Sequence, residues 1–225
     1  MSALDRERNS LETLELPTFS DSIPNDVTQI LAAGRAEVDQ YVADHGNEDR
    51  SGFVPSNPEL VYLALRAISE MHGANDMSFC EWGSGLGIAT CLASQLGFDA
   101  CGIEIEPDLV KVSRRFAKQF ELPATFVQGS FVPMDGRSLS EEAFRDNEGR
   151  YPWLKCTTHD GYANLGRQLD SFDVIFAYPW PGEEYFTKEL FCKLAGPRSL
   201  LLCYSDSDKV SLLQKRAFTP TLFRQ

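Results

Sequence analysis

The hydrophobic and polar positions of the chain follow two alternating periods, which predicts a domain of alternating strands and helices. Short apolar runs typical of buried strands are predicted at 77–82, 100–104, 124–128, 172–178, 200–204 and 210–215. Amphipathic helices, with an apolar residue at every third or fourth position, are predicted between them at 86–96, 107–120 and 183–194. This alternation indicates a doubly wound α/β fold, with a mostly parallel sheet of six or seven strands and helices on both faces.

Two more helices are predicted before the first of these strands. Residues 26–44 carry apolar side chains on one helical face, and a helix ending at 72 begins with Asn57 as its N-cap and Pro58 as its first residue. Residues 1–20 are acidic and have little periodicity, so we expect a loose tail there. The predicted division is an acidic tail with an N-terminal helical extension over residues 1–56, followed by the main domain over residues 57–225.

A long insertion interrupts the alternation between 131 and 171. It contains one predicted helix near 139–145 and then a polar and aromatic stretch over 151–166. Long irregular insertions in a compact domain are usually either functional or mobile, and the sequence leaves both alternatives open here.

The charge of the chain argues against two classes of partner. The net charge is −12 at pH 7, and the first fifty residues hold eleven acids against four arginines. Phosphate binding needs clustered Lys and Arg, so neither nucleic acid nor an anionic membrane is an expected partner.

The six cysteines contain no CxxC pair, and three of them lie in predicted strands, so we expect free thiols in the core and no metal site. Free cysteines suit a reducing compartment. Neither a secretory signal nor an apolar run long enough to span a membrane is present, so a cytoplasmic location is expected.

The most informative segment is 79–87, where a predicted strand runs through a turn into a helix. Gly83, Gly85 and Gly87 occupy alternate positions in this turn, where they allow a ligand to approach the backbone. The dinucleotide fingerprint GxGxxG would need its third glycine at position 88, which is Ile88. The turn therefore fits a dinucleotide site badly. A turn that needs glycine only for its own backbone is a second alternative to a ligand-binding loop.

Glu81 stands two residues before the first glycine, and the resulting E-x-G-x-G-x-G pattern resembles the first motif of class I S-adenosylmethionine-dependent methyltransferases. The resemblance implies a Rossmann-like methyltransferase fold and a loop that curves around the methionine part of S-adenosyl-L-methionine. It also implies that Glu81 interacts with the amino group of that cofactor. The cofactor-binding residues implied in this segment are Glu81, Trp82, Gly83, Ser84, Gly85 and Gly87.

A second acid, Glu104, ends the next predicted strand 21 residues after Gly83. An acid at this place can accept hydrogen bonds from both ribose hydroxyls. The resemblance assigns Glu104 to the ribose and places Ile105 against the adenine. Gly129 and Ser130 follow the third strand, where the family often has an acid that bonds the adenine amino group. A serine hydroxyl could still make that bond, and a simple strand-end turn is an equal alternative.

The strand predicted at 172–178 ends in Ala177-Tyr178-Pro179-Trp180. This segment resembles the N-methyltransferase motif, in which an Asn, Asp or Ser precedes two prolines and an aromatic residue. Pro179 and Trp180 agree with the motif, whereas Ala177 replaces the polar residue and Tyr178 the first proline. The resemblance implies that Ala177 lies beside the cofactor and that Tyr178, Pro179 and Trp180 lie at the reacting centre. An aromatic turn that packs the core is the alternative.

Methyl transfer depends mainly on alignment, because the sulfonium is already activated. A substrate amine must also lose a proton, and the candidates to accept it are Glu183, Glu184, His159 and Asp160.

These observations predict an S-adenosylmethionine-dependent methyltransferase (EC 2.1.1 class) that acts on a nitrogen of a small molecule or a protein side chain. Residues 53–56, 102–107 and 112–114 look like a protein lysine N-methyltransferase group within the class. The alternative, favoured by Ser130 and Ala177, is a catalytically silent regulatory module that binds S-adenosylmethionine or S-adenosylhomocysteine.

Overall fold

A computed structural model of the chain describes residues 11–18, 22–45, 53–146, 159–205 and 207–216. The strands are β1 (Leu11–Leu14), β2 (Ser78–Trp82), β3 (Asp99–Glu104), β4 (Thr125–Gln128), β5 (Val174–Ala177), β6 (Leu200–Ser205) and β7 (Lys209–Lys215). The helices are α1 (Asn25–His45), α2 (Pro58–His72), α3 (Ile88–Gln95), α4 (Pro107–Gln119), α5 (Arg137–Asp146), α6 (Gly161–Leu165) and α7 (Glu184–Leu194).

All seven strands form one sheet in the order β1-β7-β6-β5-β2-β3-β4. The five strands from β6 to β4 run parallel to one another, β7 is antiparallel to β6, and β1 is antiparallel to β7. The strand order reverses beside β2, which β5 flanks on one side and β3 on the other. The prediction of a doubly wound, mostly parallel α/β sheet is confirmed, and β2 and β5 border its topological switch point.

The N-terminal segment differs from the prediction of a loose acidic tail up to residue 20. Residues 11–14 form β1, which pairs with β7 from Leu11↔Lys215 to Leu14↔Leu212 and completes a seven-stranded sheet. A four-residue edge strand offers too few positions for a period of two to be recognised. The predicted division at residue 56 stays a prediction, although β1 and α1 contribute to the same sheet and core as the later elements.

Apolar side chains pack in two layers, one on each face of the sheet. Consecutive strand residues belong to different layers, as Phe79 and Cys80 do, because side chains alternate along a strand. One layer includes residues of α1 to α4, represented by Ile30, Leu65 and Leu92. The other includes residues of α5 to α7, represented by Leu139, Tyr162 and Phe191. The helices therefore cover both faces, as the sequence predicts.

The insertion returns to the sheet at its C-terminal end. Ser130 and Asp160 form an isolated parallel bridge, which Gly129 permits because its own Cβ would lie 2.7 Å from the Cα of Gly161. The predicted helix near 139–145 corresponds to α5, and much of the polar and aromatic stretch lies outside the described residues.

The cysteine prediction holds for the described residues, where Cys80, Cys91, Cys101, Cys192 and Cys203 are buried and free. Cys156 lies outside them. The part of the chain that the structure describes contains no cluster of three His, Cys, Asp or Glu side chains suited to a metal. Within the same residues, no helix has the length and apolar character needed to cross a membrane.

Candidate functional site

A cavity of about 710 Å³ opens at the carboxyl ends of the central parallel strands. Its floor is formed by the ends of β2, β3 and β5 and by the residues after β4. The cavity is lined by all fourteen residues predicted for the site: Glu81, Trp82, Gly83, Ser84, Gly85, Gly87, Glu104, Ile105, Gly129, Ser130, Ala177, Tyr178, Pro179 and Trp180. A ligand site at this edge is the general expectation for a doubly wound sheet.

The glycine turn after β2 depends on backbone conformations that other residues avoid. Gly83, Gly85 and Gly87 have φ values of 68°, 52° and 75°, all in the left-handed region. A Cβ on Gly87 would also lie 2.5 Å from the Phe126 ring and 2.6 Å from the Ser113 side chain. The turn therefore needs glycine for its own backbone and for the packing of β4 and α4 beneath it.

The Glu104 carboxylate connects β3 to this turn. Its Oε2 atom accepts a hydrogen bond of 2.7 Å from the Gly85 N–H, and its Oε1 atom accepts one of 3.0 Å from the Glu106 N–H. Glu104 is only 6% exposed. Burial raises the pKa of this carboxyl, while the backbone N–H donors act in the opposite direction. A carboxylate offers about four acceptor positions, so these two bonds leave capacity for a ligand.

A second buried carboxyl belongs to Glu81 of β2, and it is hydrogen-bonded to the first turn of α3. Its Oε2 atom accepts hydrogen bonds from the Thr90 N–H at 2.9 Å and from the Thr90 hydroxyl at 2.5 Å. Burial raises the pKa of Glu81 to about 8, the Thr90 bonds lower it, and the charge of Glu104 adds to the rise. A cationic group bound in the cavity would favour the ionised form of this carboxyl.

Two further residues of the segment line the cavity and pack closely against their neighbours. The Trp82 ring stacks on the Phe131 ring, with centroids 5.3 Å apart and planes 11° apart. The Ser84 hydroxyl is buried and has no hydrogen-bond partner among the described residues. Ser84 packs closely over β3, because a Cβ on Gly102 would lie 2.6 Å from the Ser84 Cβ. A larger residue at position 102 would therefore overlap Ser84 beneath the turn.

Ser130 is tied to the returning insertion through its backbone. Its N–H donates to the His159 carbonyl at 2.8 Å, and its side-chain oxygen accepts a bond of 3.1 Å from the Val132 N–H. Asp160 caps α6 by accepting from the Tyr162 N–H at 2.8 Å. Neither His159 nor Asp160 lines the cavity, so these two candidates for proton removal are not brought to the site.

The aromatic segment after β5 is held by β6 and by the cap of α2. The Tyr178 ring meets the Tyr204 ring edge to face, with centroids 4.8 Å apart. The Tyr204 hydroxyl in turn accepts a bond of 3.0 Å from the N–H of Asn57, the N-cap of α2. Tyr178 therefore has a defined position against the core and still borders the cavity.

Glu183 is a buried carboxylate at the same end of the cavity. It is 5% exposed, and its Oε2 atom accepts a bond of 3.2 Å from the Trp180 N–H. The neighbouring Glu184 is exposed, accepts from the Gly182 N–H at 2.9 Å and does not line the cavity. Of the four side chains considered for proton removal, Glu183 alone reaches the site.

One wall of the cavity comes from the N-terminal part of the chain, where no motif in the sequence assigns individual residues to the site. Gly34, Val38 and other residues of α1 line the cavity, as does the segment around Phe53. The Phe53 ring covers the glycine turn, and a Cβ on Gly85 would lie 2.8 Å from it. The available signal was Gly34 itself, since an interior helix glycine often marks close packing. A Cβ there would lie 3.1 Å from Ile88.

Comparison with known proteins gives a distant likeness. No family model matches the chain, and no curated protein matches it significantly. An RNA methyltransferase from Salinibacter ruber, solved with S-adenosyl-L-homocysteine, is 17% identical with a TM-score of 0.48, over 76% of this chain and 100% of that one. A putative O-methyltransferase from Klebsiella pneumoniae is 15% identical with a TM-score of 0.45, over 82% of this chain and 66% of that one.

A third structure is an O-methyltransferase from Bacillus cereus in complex with SAH, which is 15% identical with a TM-score of 0.42 over 82% of this chain and 67% of that one. At such identities and TM-scores, the likeness carries no inference about reaction or acceptor. The chain's own sheet order and the position of its cavity therefore define the fold: a doubly wound α/β domain with a ligand site at the carboxyl edge of its parallel strands.

Proposed function

We propose that this chain is a class I S-adenosylmethionine-dependent methyltransferase that transfers a methyl group to a nitrogen of a small molecule or a protein side chain. The observation that carries the proposal is one arrangement of three features at the switch point of the sheet. A turn of three left-handed glycines lies between two buried carboxyls, Glu81 and Glu104, and all of them face one cavity.

The hydrogen-bonding groups of this arrangement suit the cofactor. S-adenosyl-L-methionine carries an ammonium, a sulfonium and a ribose diol, and the buried carboxyls offer acceptors to the first and the last of these. The Glu104 carboxylate lies beside the turn and can accept from the ribose hydroxyls while keeping its backbone donors. Ile105 lines the cavity next to it as an apolar surface for adenine. The volume of about 710 Å³ lies in the range typical of ligand pockets.

The acceptor position follows from the strand order. If Glu104 on β3 holds the ribose, the methionine end of the cofactor lies towards β2 and β5. Tyr178, Pro179 and Trp180 follow β5 and border the cavity there, so they surround the methyl group in this proposal. Transfer to nitrogen is supported by the partial N-methyltransferase motif and by the carboxylate of Glu183 in the same wall.

The first experiment is a calorimetric titration of the purified chain with S-adenosyl-L-homocysteine, with NAD as the control. We expect binding of the homocysteine compound with a dissociation constant on the order of micromolar, and none of NAD. Failure to bind S-adenosyl-L-homocysteine, or tight binding of NAD, would overturn the proposal.

A catalytically silent binding module is the second candidate, and two positions favour it. Ala177 cannot offer the polar group that the N-methyltransferase motif supplies, and the Ser130 oxygen already accepts from the Val132 N–H. The candidates separate when the chain is incubated with labelled S-adenosyl-L-methionine and a panel of amines. Label transfer identifies an enzyme, whereas cofactor binding without transfer to any acceptor favours the module.

A further inference from the structure

The cofactor of the proposed function carries one group that none of the residues assigned above meets, the carboxylate of its methionine part. Glu81, Glu104 and Ile105 are assigned to the ammonium, the ribose and the adenine, and none of them attracts a negative charge. Arg35 is the one basic residue in the described lining of the cavity. We infer that the Arg35 guanidinium binds the cofactor carboxylate and selects for it. The inference rests on the proposed function, because it assumes that S-adenosyl-L-methionine occupies the cavity.

The glycine turn is the other place where an anion could bind, but most of its backbone donors are occupied. The N–H groups of Gly83 and Ser84 both donate to the Ile103 carbonyl, at 2.9 and 3.0 Å. The Gly85 N–H donates to a carboxylate of β3 at 2.7 Å, and the Gly87 N–H donates back within the turn at 2.7 Å. An anion at these donors would have to displace a protein acceptor, whereas a side-chain cation can bind it directly.

Arg35 lies on the helix that packs against the start of α3. Its neighbour Gly34 contacts Ile88, the first residue of α3, because a Cβ on the glycine would lie 3.1 Å from the isoleucine side chain. The Glu81 carboxyl bonds the same turn of α3 through the N–H and the hydroxyl of Thr90. The ammonium and the carboxylate of the cofactor are attached to one carbon atom, so their partners must lie at one end of the cavity. A carboxyl and a guanidinium that both adjoin the first turn of α3 meet this requirement.

The existing contact of the guanidinium orients it without using all of its donors. Its Nη2 atom forms an ion pair with the Glu59 carboxylate, in the first turn of α2. Ser56 and Pro58, beside Glu59, line the cavity, so the paired guanidinium lies at the cavity edge. A guanidinium has five N–H donors in a planar fork, and one contact leaves donors for a second carboxylate. The paired side chains are 54% and 45% exposed, so a shift of Arg35 towards a bound ligand costs little.

The test compares two ligands that differ only in this group, S-adenosyl-L-homocysteine and its decarboxylated analogue. Calorimetric titration at about pH 7, where both ligands carry an ammonium, measures their dissociation constants in about 50 mM and about 500 mM NaCl. In the lower salt we expect S-adenosyl-L-homocysteine to bind at least about tenfold more tightly than the analogue. The ratio should fall in the higher salt, because an ion pair at the cavity edge is screened.

Three variants assign the preference to one side chain. Arg35→Gln should remove most of the difference between the two ligands, by weakening S-adenosyl-L-homocysteine alone. Arg35→Lys should keep part of it, because the charge stays while the planar fork is lost. Arg115→Gln is the matched control and should keep all of it. This change also removes one positive charge and one ion pair of α1, with Glu37, but Arg115 does not line the cavity.

The outcomes separate this inference from the proposed function. If neither ligand binds, the proposed function is wrong and this inference is overturned with it. If both ligands bind the unmodified chain equally well, the inference alone is wrong. Equal weakening of both ligands in Arg35→Gln would give the residue a structural role only, and a preference that survives in that variant would overturn the assignment to Arg35. The comparison on the unmodified chain remains decisive if a variant does not fold.

Discussion

The Glu104 carboxylate and the Gly85 backbone N–H form a hydrogen bond of 2.7 Å that joins the end of β3 to the glycine turn after β2. The second carboxylate oxygen binds the Glu106 N–H, so one side chain organises two loops of the site. Because both loops border the cavity, a ligand that bonds Glu104 meets a carboxylate whose orientation is already defined.

Replacing Glu104 by alanine should weaken the binding of S-adenosyl-L-homocysteine by about 1.5–3 kcal/mol, the range for hydrogen bonds to a charged group. Calorimetric titration measures the loss. Asp108→Ala is the control, since Asp108 is exposed, does not line the cavity and forms an exposed ion pair with Lys111. An unchanged affinity in a folded Glu104→Ala protein would show that this acid does not bind the ribose.

Alanine substitutions in the glycine turn should lower the free energy of unfolding of the ligand-free protein. The loss should be smallest at Gly83, larger at Gly85 and largest at Gly87. All three have positive φ, which costs about 1–2 kcal/mol for a residue with a Cβ. A Cβ on Gly83 meets nothing within 4 Å, one on Gly85 meets the Phe53 ring at 2.8 Å, and one on Gly87 meets side chains at 2.5 and 2.6 Å. Overpacking then adds about 1–3 kcal/mol at the last two positions.

Urea unfolding measures this order, and Phe53 supplies an internal check. In a Phe53→Ala background the cost of Gly85→Ala should fall towards that of Gly83→Ala, because the overlapping ring is gone. Equal costs at all three glycines would mean that backbone conformation alone requires glycine in this turn.

The central part of the fold was predictable because its signals are local. The parallel strands are short and largely apolar, most clearly at 200–204, and the helices between them have a regular apolar face, so the alternation predicts the α/β class. The site was predictable for the same reason. Glu81 and Glu104 lie at the carboxyl ends of their strands and the glycines directly after one, and a parallel sheet brings all its carboxyl ends to one edge.

The N-terminal contributions could not be predicted because they depend on long-range pairing. β1 finds its partner about 200 residues later in β7, and four residues of sequence do not reveal that register. Likewise, the periodicity of α1 predicts a helix and its buried face, but not that Gly34 lets it pack on Ile88 and border the cavity. Glu183 was one of four candidate proton acceptors, and the tertiary structure alone separates it from the other three.

The pairing of β1 predicts that Leu11 and Leu14 stabilise the fold independently. Leu11 packs with one apolar layer and Leu14 with the other, on opposite faces of the sheet. Each change to serine should lower the free energy of unfolding by about 1 kcal/mol, since both side chains are partly buried. The effects should add in the double variant, because the sheet separates the two sites. Thr13→Ser, at an exposed position, should change nothing measurable.

Urea unfolding of the four proteins against the unmodified chain makes this comparison. A loose tail at residues 11–14 would leave all four equally stable, which would contradict the seven-stranded sheet.

The raised pKa of Glu81 predicts a pH-dependent stability. The folded protein holds a proton on this carboxyl up to about pH 8, whereas the unfolded chain releases it near 4.5. Between these values the folded state binds more protons, so the stability from this group declines as pH rises and is lost above about 8. Across that window, the free energy of unfolding of Glu81→Gln should rise relative to that of the unmodified chain by up to about 1.4 kcal/mol per pH unit.

Urea unfolding of both proteins at about pH 5.5 and about pH 7.5 measures the difference in their free energies of unfolding. The other titrating groups are common to both proteins, so their contributions cancel in this difference. The same pH dependence of the free energy of unfolding in both proteins would mean that the buried carboxyl has an ordinary pKa.

The same carboxyl links cofactor binding to pH. If the ammonium of S-adenosyl-L-homocysteine lies beside Glu81, its charge lowers the pKa of the carboxyl below the value of about 8 in the free protein. Binding then releases a proton at any pH between those two values, so affinity should rise as pH increases towards 8. Calorimetric titrations in buffers of different ionisation enthalpy count the released proton. Glu81→Gln has no proton to release and should bind with a nearly constant affinity. A rise of the same size in the variant would place the ammonium elsewhere in the cavity.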